Sequence, residues 1–140
     1  MHLTIDGYGG SPAMLSSEIT VREFLDTCPG VIEMTKIADP FVCRYQGVDS
    51  EEWGICGLVL IAESHITVHT FPARGLVWAD IFSCKAFRPK AAIDALTAAF
   101  ALQDVKETVL DRGLEQPMPV ALEAETLHRP RALRASENLA

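Results

Sequence analysis

The chain has 140 residues, the length of one ordinary domain. Hydrophobic residues make up 49% and charged residues 22%, which gives the chain a core to bury and excludes an intrinsically disordered protein. Nineteen acidic against twelve basic side chains leave a net charge of -7, which argues against non-specific binding to nucleic acid or to an anionic membrane.

In chain order, residues 2–8 (HLTIDGY) alternate apolar and polar and end in Gly9-Gly10, the pattern of a first strand and turn. Val21, Phe24, Leu25 and Cys28 fall at i, i+3, i+4 and i+7 of a helix capped by Ser16 or Ser17 and stopped at Pro29-Gly30. Residues 31–37 (VIEMTKI) and 41–46 (FVCRYQ) read as strands, and 47–53 as an acidic loop. Three β-rich runs follow, 55–62 (ICGLVLIA), 64–71 (SHITVHTF) and 76–84 (LVWADIFSC). The first and third are apolar on both faces, so both faces are expected to be covered. Pro89 opens a helix through about Leu102 that buries Ala92, Leu96, Ala99 and Phe100, and a last strand spans 104–111.

These elements predict an α+β fold, a mainly antiparallel sheet with helices on one face, over a domain of residues 1–115. Residues 116–140 carry no sustained period and read as a disordered tail, with room for a short helix. No apolar run reaches the ~18 residues of a bilayer span. The opening residues MHLTID lack the charged and apolar regions of a secretory signal, so a cytoplasmic protein is expected. Cys28, Cys43, Cys56 and Cys84 form no C-x-x-C pair and read as reduced thiols, not as a disulfide framework or structural zinc site.

The chemistry concentrates in Glu63-Ser64-His65-Ile66-Thr67-Val68-His69. His65 and His69 share a face in a helix or a strand, so a metal site with Cys84 or Cys56 as third ligand is one reading. A polar row on a strand surface is the plainer one. A third concerns the Glu63-Ser64 bond. A serine hydroxyl can attack the preceding carbonyl and convert amide to ester. Loss of the serine α-proton then splits the chain by β-elimination, and water hydrolyses the dehydroalanine at the new terminus to a pyruvoyl group, releasing its nitrogen as ammonia. That ketone forms a Schiff base with an amine substrate and withdraws electrons, which supports decarboxylation. The serine should be strained and should have a base and a proton donor nearby. His69 and Cys84 are the candidates.

The run IAESHITVHTFPARGLVWADIFSC resembles the self-processing core of the prokaryotic S-adenosylmethionine decarboxylases. Glu63, Ser64, His65, His69, Thr70, Phe71, Pro72, Asp80, Phe82, Ser83 and Cys84 carry the match. The resemblance implies cleavage between Glu63 and Ser64, with Ser64 as precursor of a covalent pyruvoyl cofactor. It implies His69 as the processing histidine and Cys84 as the acid that protonates the decarboxylated intermediate. It also implies a homodimer whose sheets pack face to face as an αββα sandwich, acting on a small amino-acid-type substrate in polyamine (spermidine) biosynthesis. Ideal alternation puts Ser64 and His69 on opposite faces of one strand, so either a bulge intervenes or Ser64 lies outside the regular strand at its N-terminal end.

Three positions depart from the pattern. Cys56, in Gly54-Ile55-Cys56-Gly57, stands where a serine assists processing, so processing is slower or the thiol takes the role. Ala73 follows Pro72 where members using S-adenosylmethionine have a glutamate suited to ribose hydroxyls. Phe71 replaces the usual tryptophan, and Tyr45, Trp53 and Phe71 are candidates to stack on adenine. Related members decarboxylate L-ornithine or L-arginine, whose distal cation Asp80, Asp49, Glu51 or Glu52 would pair. A non-catalytic homologue acting as a partner subunit is the remaining alternative.

Overall fold

The computed structural model describes residues 1–112, and the expected tail at 116–140 lies outside them. Six strands form one sheet: β1 (His2–Tyr8), β2 (Phe41–Gln46), β3 (Trp53–Ile61), β4 (Ser64–Phe71), β5 (Leu76–Ser83) and β6 (Asp104–Leu110). Their order is β2-β3-β4-β5-β1-β6, and every neighbouring pair is antiparallel. The helices are α1 (Pro12–Leu15), α2 (Glu18–Val31) and α3 (Pro89–Phe100), with a 3-10 turn at Pro72–Arg74. The α+β architecture is the one expected.

Period-2 alternation sorts the sheet into two faces. Leu3, Ile5, Ile55, Val59, Ile61, Ile66, Val68, Val77, Ala79 and Ile81 are buried beneath the helices with Val21, Phe24, Leu25, Leu96 and Phe100. Helix α2 packs on β3 and β4, and α3 packs on β1, β6 and α2. Gly57 permits the close approach of α2: a Cβ there would meet Leu25 at 2.5 Å and Val21 at 2.8 Å. Among the described residues no helix covers the other face. On it Leu58, Leu60 and Trp78 are 36%, 45% and 45% exposed, so the apolar second face expected to be covered is open in a single chain.

Ser17 is the cap of α2, its hydroxyl accepting the Thr20 amide at 3.1 Å. Two expectations fail nearby. Pro29-Gly30 does not stop α2, which continues to Val31 with Pro29 buried. Residues 31–37 do not form a strand, because Glu33 at φ 59° breaks the extended chain. What remains is one bridge from Lys36 to Ile61, beside the β3 edge that β2 pairs from Phe41 onward. The short helix α1 was not anticipated. Among the described residues no helix is long and apolar enough to cross a membrane.

Candidate active site

The Glu63–Ser64 bond sits at the β3–β4 hairpin, where Ile61 pairs with Ser64 and only Ala62 and Glu63 form the turn. Neither turn residue has positive φ, so the turn is of neither primed type. Ser64 is the first residue of β4, and the register from Ser64↔Ser83 to Phe71↔Leu76 is unbroken. No bulge intervenes, and Ser64 is not outside the strand but paired within it on both sides, so neither expected way around the face conflict is seen. Its φ of 157° lies at the edge of the positive-φ region that residues with a side chain rarely adopt, in line with the strained serine expected from the chemistry.

Two contacts frame the bond. Ser64 Oγ lies 3.1 Å from His65 Nδ1, a hydroxyl and imidazole within hydrogen-bond reach. The amide of Cys84 donates to the carbonyl oxygen of Glu63 at 3.0 Å, so a backbone dipole already faces the oxygen on which negative charge would develop. The pairing of Ser64 with Ser83 brings Cys84, an exposed residue, to this end of the sheet. Sequence reasoning named His65 as a metal-ligand candidate and as part of the family match, and missed it as the hydrogen-bonding neighbour of Ser64.

His69 is elsewhere. It lies five residues along β4 from Ser64, about 17 Å at a strand's usual rise. Its Nδ1 is 3.3 Å from Cys56 Sγ, the residue opposite it on β3. Cys43 is opposite Cys56 in turn, so Cys43, Cys56, His69 and Trp78 form a row across the open face. Burial, and then the neighbouring Cys43, push the Cys56 thiol up from its ordinary pKa, which keeps it protonated beside the imidazole. The glycines around Cys56 have steric reasons: Gly57 admits α2, and a Cβ on Gly54 would lie 1.8 Å from the Thr70 carbonyl oxygen. Beside them Thr70 Oγ1 accepts the Ile55 amide at 2.9 Å.

Beyond His69, a cavity of about 230 Å³ is lined by Tyr45, Glu51, Glu52, Trp53, Phe71 and Arg74. It gathers the aromatic candidates and two of the acidic ones. Phe71 packs on Trp78 at 4.5 Å between ring centres, and the Arg44 guanidinium lies 4.3 Å over Trp53. Asp80 is not in this cavity; its carboxylate is 3.1 Å from His2 Nε2, nearer the Ser64 end. There Phe82 packs edge-on against both His2 and His65, with Arg112 4.0 Å over its ring. His65 and His69 thus have separate partners. Among the described residues no group of three or more His, Cys, Asp or Glu side chains could hold a metal ion.

One chain therefore collects Glu63, Ser64, His65 and Cys84 at one end, and Cys56, His69 and the aromatic cavity toward the other. A family model described as S-adenosylmethionine decarboxylase matches residues 1–113. The S-adenosylmethionine decarboxylase proenzyme of Hydrogenobaculum sp. is 33% identical over 118 residues, 81% of each chain. That of Archaeoglobus fulgidus is 31% identical over 113 residues, covering 80% of this chain and 96% of its own. The crystal structure of the adenosylmethionine decarboxylase from Aquifex aeolicus superposes with a TM-score of 0.65 at 29% identity, covering 82% of this chain and 91% of that one.

Proposed function

The chain belongs to the S-adenosylmethionine decarboxylase family, and on that premise we propose that it is a self-cleaving, pyruvoyl-dependent carboxy-lyase that decarboxylates S-adenosylmethionine for polyamine biosynthesis. The supporting observation is the Glu63–Ser64 junction, with a hydroxyl 3.1 Å from an imidazole and the carbonyl oxygen held by an amide at 3.0 Å. Ser64 is the precursor of the pyruvoyl group. Its place as the first residue of β4 suits a residue that becomes a chain terminus. Once formed, that group supplies an electrophilic ketone that withdraws electrons from the substrate's α-carbon.

The chain's own residues divide the work. His65 accepts the Ser64 hydroxyl proton as Oγ attacks the Glu63 carbonyl carbon, and the Cys84 amide stabilises the developing oxyanion. The proton is delivered to the Ser64 nitrogen as the C–N bond breaks, leaving an ester between Glu63 and Ser64. His69, hydrogen-bonded to the Cys56 thiol, takes the Ser64 α-hydrogen in the elimination. The Cys84 thiol later holds the proton that the substrate carbon receives.

For His69 to reach Ser64, the two must come from different copies. Their separation of about 17 Å along one strand exceeds any side chain's reach. Two open faces packed about a two-fold axis bring the Ser64 end of each sheet against the His69 end of the other, and cover Leu58, Leu60 and Trp78 as well. This is the αββα homodimer implied by the resemblance. The compartment proposed is the cytoplasm, where Cys56 and Cys84 stay reduced.

The aromatic cavity suits a sulfonium and an adenine. Ala73, exposed just beyond β4, offers no acceptor to ribose hydroxyls, and the same cavity holds Glu51 and Glu52. These observations favour a second reading, decarboxylation of L-ornithine or L-arginine by the same chemistry. Product formation from the three substrates offered side by side decides between them. No product from any of them, by a chain that stays whole, would make the protein a non-catalytic homologue.

A further inference from the structure

The scissile bond is held from a direction that the chemistry above does not use. Glu63 is only 7% exposed, an unusual setting for a carboxylate. Its Oε2 accepts the backbone amide of Thr35 at 3.1 Å. The carbonyl of Thr35 in turn accepts the amide of Ala62 at 2.8 Å, and the Ile37 amide reaches the Leu60 carbonyl at 3.1 Å. The irregular segment 33–37, which is not the strand its sequence suggests, is thus laid along the hairpin that carries the cleavage site. It is itself pinned: Lys85 Nζ donates to the Glu33 carbonyl at 3.0 Å, and Met34 Sδ lies 3.6 Å from Ser83 Oγ.

We propose that the Glu63 side chain is a positioning group for cleavage of its own peptide bond. By fastening to the Thr35 amide it fixes the plane of the Glu63 carbonyl, keeping the oxygen on the Cys84 amide and the carbon open to Ser64 Oγ. The proposal rests on the self-cleavage reading. Ser64 attacks a carbonyl one residue away through a five-membered ring. The bond from Oγ to the Glu63 carbon forms as the C–N bond breaks, and the hydroxyl proton ends on the Ser64 nitrogen. Such a ring closes only if the carbonyl presents its face to the hydroxyl, so orientation sets the rate. The Cys84 hydrogen bond alone leaves rotation about the C=O axis free. The Thr35 contact supplies the second point that removes it. The carboxylate acts here as an acceptor, without needing its charge, because its partner is a neutral amide.

The test is the rate at which freshly made precursor splits into residues 1–63 and 64–140, followed by denatured mass spectrometry. Glu63→Ala and Glu63→Met remove the acceptor, the second while retaining most of the buried volume. Each should slow splitting by about 10- to 100-fold, the cost of leaving the Thr35 amide without its acceptor. Glu63→Gln keeps an acceptor oxygen and should restore most of the rate, which a loss of packing or of charge would not allow. Thr35→Ala keeps the amide and should split like the wild type. If Glu63→Met splits as fast as the wild type, or Glu63→Gln is as slow as Glu63→Met, the positioning role is overturned. If the wild type itself never splits, it is the self-cleavage reading that has failed.

Discussion

His69 Nδ1 and Cys56 Sγ face each other at 3.3 Å across β3 and β4, and both stand well over 10 Å from the serine that His69 is expected to serve. A histidine so placed can act on Ser64 only in a second copy. Mixing variants tests this. Ser64→Ala chains cannot split but retain His69; His69→Ala chains retain Ser64 but lack the base. Each alone should stay whole or split slowly. Co-expressed, they should form mixed dimers in which the His69→Ala chain splits and about half the sites are restored. Absence of splitting in a verified mixed dimer would confine His69 to its own chain.

Cys84 has two separable parts. Its amide holds the Glu63 carbonyl oxygen, and the residue is exposed at the Ser64 end of the sheet. Cys84→Ala keeps the amide and removes the thiol, so it should still split while losing most turnover. Misplaced protonation should then convert the terminal group to alanine over successive cycles, visible by mass. Normal turnover by split Cys84→Ala protein would remove the thiol from the mechanism.

Much of this arrangement was legible in the sequence. Alternation in HLTIDGY and SHITVHTF gave β1 and β4, and Pro89 marked the start of α3. The E-S-H run led to the proposed cleavage site. The segment VIEMTKI misled because β-branched residues at alternate positions suit a strand, whereas a left-handed Glu33 and the pull of Glu63 on Thr35 decide its path. Pro29 misled because a proline near the end of a helix can be retained when its ring is buried. The separation of Ser64 from His69 was visible as a face conflict. That the answer is distance needed the unbroken register.

The proposed second reading of the substrate turns on Ala73. A glutamate there would accept ribose hydroxyls, each hydrogen bond to a charged acceptor being worth roughly 1.5–3 kcal/mol when buried. Ala73→Glu should therefore raise the ratio of S-adenosylmethionine to ornithine or arginine turnover by about 10- to 100-fold. If the wild type already uses S-adenosylmethionine efficiently and the variant gains nothing, another residue holds the ribose.

Cys28 gives a pH signature of the fold. Burial on the inner face of α2 pushes its thiol from 9.0 up to about 12. The folded state therefore holds the proton that the unfolded state releases, and the contribution is intact below pH 9 and lost as pH rises from 9 toward 12. Denaturant midpoints should fall between pH 8 and pH 10.5. Cys28→Ala should be less stable at pH 8 yet show a shallower fall. Equal slopes for the two proteins would mean that the thiol is not protected by the core.

The self-cleavage claim is met most directly by the denatured mass of purified wild-type protein beside Ser64→Ala. The wild type should resolve into residues 1–63 and residues 64–140, the second beginning with a ketone where an amine would otherwise stand. Ser64→Ala should remain one chain of 140 residues. A wild type that stays whole after long incubation while still releasing decarboxylated product would contradict it.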